Sequence, residues 1–364
     1  MLVNKERNYG IDLLRIVAII YVVILHVLGR GGVLDSAIIN SIQFKFVWFL
    51  EILCFCAVDI FALISGYVGY NDKEKKYNYS NYLFLWFQVV FYGLTIMLIF
   101  QIVSPSLIDK KDFIKMLFPV TNNLYWYFTA YTGLFFLIPF LNAAIRISSK
   151  KYLKLLFVIL FICFSVLETL FDIFKLSKGY SLMWLIILYI MGAIIKKCEI
   201  GNKTNKYLAF ILIILFTFIS WILNIYGLNI DLLNIKITKY LLVTYTSPFV
   251  LGSAILYIIS FSKINFNPFL KKIISYIVPS VFIIYIINCH KYLWNIISNK
   301  FIFLSNQNIF IISLYVLGIS FIFIFISILI DRLRIWIFKK CKIKELSLNI
   351  VRFLNQLIKV FEIK

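Results

Sequence analysis

Within residues 10–29, GIDLLRIVAIIYVVILHVLG, three ionisable side chains interrupt an otherwise apolar run: Asp12, Arg15 and His26. Imidazole titrates near neutral pH, so a histidine beside a carboxylate is the usual equipment for general-base catalysis. Arg15 and His26 are eleven residues apart, close to three helical turns, which puts them on one face about 16 Å apart along the axis. The next apolar run adds Glu51 and Asp59, followed by Ser65 and Gly66. The sequence holds two histidines, and the second, His290, closes a late apolar run. Glu51, His290 and His26 are expected to meet at similar depth. Plainer readings compete. A lone intramembrane histidine makes an interhelical hydrogen bond, and Arg15 snorkels or pairs with Asp12, three residues earlier on its face. Glu51 and Asp59 would serve a proton or ion path equally well, although acids inside a membrane mark function by default. Lys73, Lys75 and Lys76 are either a topology signal or a seat for phosphates.

The elements that must position these groups are membrane helices. Of 364 residues, 62% are hydrophobic, whereas a soluble domain is about half apolar. Apolar runs of spanning length cover 11–29, 46–70, 82–104, 124–145, 155–174, 181–195, 207–228, 240–261, 273–289 and 309–330. The expected fold is therefore all-α: a polytopic membrane helical bundle of about ten transmembrane helices. Pro248 and Pro279 mark kinks or half-helices. One set of loops and both ends carry 25 Lys and Arg residues, the other set 11. The richer side is cytoplasmic by the positive-inside rule, which puts both termini there. Arg15 then lies near the inner boundary, His26 and Glu51 in the outer third, Asp59 near the middle and Ser65 nearer the inside. Residues 1–330 form one transmembrane domain; 331–364 alternate basic and apolar residues and are expected as an amphipathic cytoplasmic tail on the inner leaflet.

The net charge of +21 is spread in short runs between apolar segments, which argues for lipid-bilayer topology and against nucleic acid. The opening run is too long for a signal-peptide core and lacks a small-residue cleavage site after it. Cys54, Cys56, Cys163, Cys198, Cys289 and Cys341 have no metal-type spacing and read as apolar fillers, so no metal is expected. Frequent Ile, Lys, Asn, Phe and Tyr suit an AT-rich bacterial genome, and a bacterial inner or plasma membrane is the expected location.

Four elements in order carry a resemblance. NYGIDLLRIVAIIYVVILHV resembles the opening of integral-membrane acyltransferase family 3, whose signature is Arg, ten residues, His on the first helix. Arg15 and His26 match it. VDIFALISGYVG is similar to the family's acidic–Phe–Ser–Gly–aromatic stretch, carried by Asp59, Phe61, Ser65, Gly66 and Tyr67. NNLYWYFTAYTGLFFLIPFLN, with Trp126, Tyr127 and Pro139, looks like the Trp-containing segment before a Pro-ended helix. VFIIYIINCH resembles the late Tyr–Leu–Ile–His element. Two departures stand out: the late histidine position is Asn288, with His290 two later, and the loop after Gly66 carries lysines instead of arginines. Lysine holds phosphate as a point charge without a bidentate grip.

The resemblance implies an enzyme that moves an acyl group, most often acetyl from acetyl-CoA, onto a hydroxyl of a sugar or related acceptor, as bacterial sugar O-acetyltransferases do. Acyl-CoA is the implied donor, with Arg15, Lys73, Lys75 and Lys76 at its phosphates. A glycan or lipid-linked sugar is the implied acceptor, near Ser65, Tyr67, Trp126, Tyr127 and His290. His26 would take the acceptor's proton, with Glu51 or Asp59 orienting the imidazole; direct transfer and a covalent acyl-histidine both remain open. A transporter or flippase for a glycan or lipid-linked precursor is the alternative class. It would favour inverted repeats, and none is evident. A glycan polymerase would need large outer loops, and these are short.

Overall fold

The computed structural model describes residues 7–74, 77–232, 235–237 and 241–362. Several helices start where Asn or Ser caps them: Asn8 accepts from the Ile11 amide, Ser41 from Phe44, Ser181 from Trp184 and Asn308 from Ile311. Such caps satisfy first-turn N–H groups that have no intrahelical partner. The order is α1 (Tyr9–Leu28), α2 (Ile42–Gly69), α3 (Ser80–Val103), α4 (Lys111–Leu117), α5 (Trp126–Ile147), α6 (Lys150–Phe171), α7 (Leu182–Cys198) and α8 (Lys206–Tyr226). Strands β1 (Leu228–Leu232) and β2 (Ile235–Ile237) follow, then α9 (Pro248–Phe261), α10 (Pro268–Asn288), α11 (Lys291–Ile297), α12 (Ile309–Lys340) and α13 (Ile343–Glu362).

Among the described residues, eight of these helices are long and apolar enough to cross a membrane: α1, α2, α3, α5, α6, α8, α10 and α12. The other two expected spans form shorter helices. The 17 residues of α7 and the 14 of α9 reach about 26 and 21 Å at 1.5 Å per residue, less than a hydrocarbon core of about 30 Å. The helical bundle also carries one departure from all-α, the antiparallel β1–β2 hairpin, in which Leu228 faces Ile237 and Leu232 faces Ile235.

Several boundaries differ from those read in the sequence. Of the two alternatives at Pro248 the structure has the half-helix: the run 240–261 is helical only from Pro248 on, because a residue without an N–H is tolerated in the first turn. The preceding non-helical stretch, 241–247, is held by protein. The Tyr245 amide donates to Lys178 O at 3.2 Å, and Ser165 Oγ donates to Thr246 O at 2.6 Å from a π-helical stretch of α6, Ile162–Leu167. Irregular backbone at membrane depth is tolerated where protein satisfies it in this way. Pro279 does break α10, through the 3-10 turn Val278–Ser280. Pro139 does not end α5, which continues through it to Ile147.

Residue 330 is not a helix end either. The α12 helix runs on to Lys340, and Asp331 and Arg334, both buried, pair on it. Asp331 accepts from Arg334 Nε and Nη2 (2.8 and 2.9 Å), Tyr92 OH (2.9 Å) and Ser280 Oγ (2.7 Å), tying α12 to α3 and α10.

The α1 helix is the hub, touching α2, α9, α10 and α12. Across the bundle, α2 packs on α7 by backbone contact. A Cβ on Gly66 would lie 1.9 Å from Tyr189 O, and one on Gly192 would lie 2.1 Å from Leu63 O. Small residues let membrane helices approach this closely.

Candidate active site

Two cavities run beside α1. The first, of about 330 Å³, is lined by Arg15, Ile19, Val22, Leu25 and His26 of α1, by Phe61 and Ser65 of α2, by Trp126, Tyr127 and Tyr131 of α5, and by Val281, Phe282 and Tyr285 of α10. The second, of about 540 Å³, is lined by Leu25, His26 and Arg30, by Glu51 and Phe55, by Trp126 and Tyr180, and by Lys291, Trp294 and Asn295. Leu25, His26, Trp126, Tyr245, Tyr285 and Cys289 line both. His26 therefore stands where the two cavities adjoin, and Arg15 and Glu51 each face only one of them.

The shared face of α1 places Arg15 and His26 in the wall of the first cavity. Arg15 also donates to Asp12, as its spacing allows, and Asp12 accepts from Arg7 Nε as well, at 2.5 Å. Lys271 and Arg7 both lie against the Tyr9 ring, at 5.3 and 5.2 Å. This end of α1 thus holds Arg7 and Arg15 on one buried acid, with Lys271 on the Tyr9 ring beside them, a net positive charge suited to a polyanion. Ser65 lines the same cavity while its hydroxyl donates to Phe61 O at 2.9 Å.

In the second cavity Glu51 is 8% exposed, and its Oε2 is buried with no hydrogen-bond partner. Among the described residues Glu51 belongs to no ion pair, although Arg30 and Lys291 line the same space. Arg30 is turned to Trp294 O and Asn295, and Lys291 to Asp112 at 2.5 Å. Aromatic rings form the remaining wall: Tyr245 stacks on Phe55 (4.8 Å) and on Trp126 (6.2 Å), with Tyr180 packed against both Trp126 and Tyr245.

His26 itself meets Asn288, which the sequence marked only as a departure from the late histidine position. Its Nδ1 is hydrogen-bonded to Asn288 Oδ1, and Trp294 stands edge-on to its ring at 4.6 Å and 89°. The expected carboxylate partners are elsewhere. Asp59 is buried on the far side of α2, accepts from Trp184 Nε1 at 3.0 Å and lines neither cavity. The physical reason is the break in α2 at Phe55–Cys56: Ile42–Cys54 and Ala57–Gly69 are separate helical pieces, and the second aims Asp59 at α7.

Other expected site residues also fall away from the cavities. His290 is 0% exposed, its Nε2 lies 3.3 Å from Gly93 O, and it lines neither cavity, because the chain turns after Asn288 and swings His290 toward α3. His26 and Glu51 thus share a cavity without it. Tyr67 lies under Lys196 at 4.9 Å, also outside both linings, and Lys73 is exposed in the loop beyond. Lys75 and Lys76 lie outside the described residues. Trp126 and Tyr127 do line the first cavity, and Trp126 both.

Sequence reasoning missed Tyr245, Tyr285, Asn288, Cys289 and Trp294. Asn288 left a trace as the departure from a histidine position. The others are apolar or aromatic residues among many, and Arg30 and Lys291 read as loop charges.

Compared with known proteins, the chain matches the profile of the family described as an acyltransferase domain, acyltransferase family 3, over residues 8–341. No curated protein and no solved structure matches it.

Proposed function

This chain belongs to acyltransferase family 3 of membrane proteins, and from that premise we propose that it moves a short acyl group, acetyl first among them, from acyl-CoA to a hydroxyl of a cell-surface or lipid-linked glycan. The observation that carries this reading is the position of His26, which borders both the Arg15 cavity and the Glu51 cavity. A base in that position is reached by a donor from one side and an acceptor from the other.

In this reading the donor's phosphates rest at the cationic end of α1, where Arg15 lines the first cavity and Arg7 and Lys271 lie against Tyr9; the sequence after α2 carries Lys73, Lys75 and Lys76 as further candidate cations. The slender arm of the donor extends along α1 for the three turns between Arg15 and His26. The acceptor sugar occupies the Glu51 cavity, where its hydroxyls meet the Glu51 carboxyl group, whose Oε2 lacks a hydrogen-bond partner, and its faces find Trp126, Tyr180 and Tyr245. His26 takes the proton from the attacking hydroxyl as the new C–O bond forms at the thioester carbonyl. The C–S bond then breaks, and the departing thiolate recovers a proton from the imidazolium. Preorganised geometry supplies much of the rate in such a transfer.

The same reading sets the chain in a bacterial plasma membrane with ten crossings, α7 and α9 included, and both ends cytoplasmic. The Lys and Arg asymmetry supports this orientation. The α13 helix lies on the inner leaflet: Leu346, Phe353, Leu354 and Leu357 are exposed on a helix that also carries Lys344 and Arg352. No separate observation favours a transporter or flippase.

Mass spectrometry of surface glycans from cells with and without this gene tests the proposal. Loss of one acyl mass per modified sugar in the deletion, restored by the wild-type gene and not by His26→Ala, is the expected result. Identical glycan profiles with and without the gene would end it.

A further inference from the structure

We infer that Asn288 is the positioning residue that fixes the tautomer of His26, holding the proton on Nδ1 and leaving Nε2 as the free base. The inference rests on the acyl-transfer reading for its catalytic consequence. Its structural part stands alone.

The argument starts from the donor and acceptor inventory. A carboxamide oxygen only accepts, so with Asn288 Oδ1 turned to the imidazole it is His26 Nδ1 that carries the hydrogen. A neutral imidazole has one N–H, and its lone pair is then on Nε2. Asn288 is 2% exposed and closes the helical part of α10, where the Cys289 amide donates to Tyr285 O at 2.9 Å and the His290 amide to Ile287 O at 3.2 Å. Its side chain therefore has a fixed origin. Trp294, edge-on to the imidazole, restrains the ring plane from the opposite element. Position and tautomer are thereby set by two neutral groups.

The usual orienting group for a histidine base is a carboxylate. Here both nearby acids are otherwise disposed, Asp59 against Trp184 and Glu51 across the second cavity. Among the described residues, the ionisable groups lining the two cavities with His26 are Arg15 from α1, Glu51 from α2, Arg30 from the loop after α1, Lys291 from α11, Tyr127 and Tyr131 from α5, Tyr125 and Tyr180 from the loops before α5 and α7, and Tyr245, Tyr285 and Cys289. None of them is hydrogen-bonded to the imidazole. An amide orients the ring as a carboxylate would, without adding a full charge that favours the imidazolium.

The sequence's two histidines make the test direct. Histidine-selective 15N labelling of the full-length protein in lipid gives two imidazole spin systems, and His26→Gln identifies which is which. The expected spectrum shows His26 protonated on Nδ1 in the wild type and a mixture of tautomers in Asn288→Ala. In membranes of expressing cells, CoA thiol release from acetyl-CoA should fall about 100-fold in kcat for Asn288→Ala, with the donor KM unchanged. Asn288→Asp should retain activity but move the acidic limb of the rate profile upward by about one pH unit or more, because an adjacent carboxylate favours the charged imidazole. An Nε2-protonated His26 in the wild type, or an Asn288→Asp profile that overlays the wild type, would overturn the inference. Full activity in His26→Ala would overturn the acyl-transfer reading instead, and leaves the tautomer spectrum as the deciding observation for Asn288.

Discussion

Arg15 and His26, eleven residues apart on α1, line one cavity of about 330 Å³, and only His26 continues into the next. A single helix therefore carries a cation in the wall of one space and an imidazole at its junction with the other. The division of labour that follows is separable by experiment.

His26→Ala should abolish acyl transfer while membrane insertion and yield stay at wild-type levels, since the side chain borders cavities and fills no packed core. A general base contributes about 10²–10⁴-fold. Full activity in this variant would remove the mechanism.

Arg15→Ala should raise the donor KM while altering kcat less, because the guanidinium sits about three turns from His26. A charge-assisted contact to phosphate accounts for about 1.5–3 kcal/mol, or roughly ten- to hundredfold in affinity. Donor kinetics indistinguishable from the wild type would mean that Arg15 serves only Asp12.

Glu51→Gln should weaken use of the acceptor and leave acyl-CoA binding unchanged, since Glu51 lines only the second cavity. Acceptor-dependent rates measured at saturating acetyl-CoA check this. A change confined to the donor KM would contradict the assignment of the two cavities.

Asp331→Ala should destabilise the protein by about 3–5 kcal/mol, because it strands the buried Arg334 guanidinium and two hydroxyls. Thermal unfolding in detergent reads this directly. Gly66→Ala should act in the same direction through its clash with Tyr189 O.

Asp112, outside the membrane spans, offers a pH dependence. Burial alone would raise its carboxyl, but hydrogen bonds from Lys291, Tyr292 and Lys115 prevail and hold it at about 2, against an ordinary 3.8. Because the folded value is the lower one, its contribution to stability is complete above about pH 4 and is lost as pH falls toward 2. Unfolding temperatures at pH 5 and 2.5 should differ less in Asp112→Asn than in the wild type.

Much of this was readable in the residues. Apolar length located all eight described helices long enough to span, because a membrane demands about twenty apolar residues and internally satisfied backbone. The Arg15–His26 spacing predicted a common face, since helical periodicity is a local property. Four motifs in order led to the family that the profile match then showed.

What local pattern could not determine was which partners those faces meet. The break at Phe55–Cys56 sends Glu51 to a cavity and Asp59 to Trp184. The turn after Asn288 buries His290 against α3 and leaves the amide, in place of any carboxylate, at the imidazole. Tyr245 reaches the junction only because 241–247 is held out of the helix by Lys178 and Ser165, from 67 and 81 residues away in the chain. Composition and periodicity describe each helix along its own axis; its rotation against its neighbours comes from packing among residues distant in sequence, and that packing chose the groups around His26.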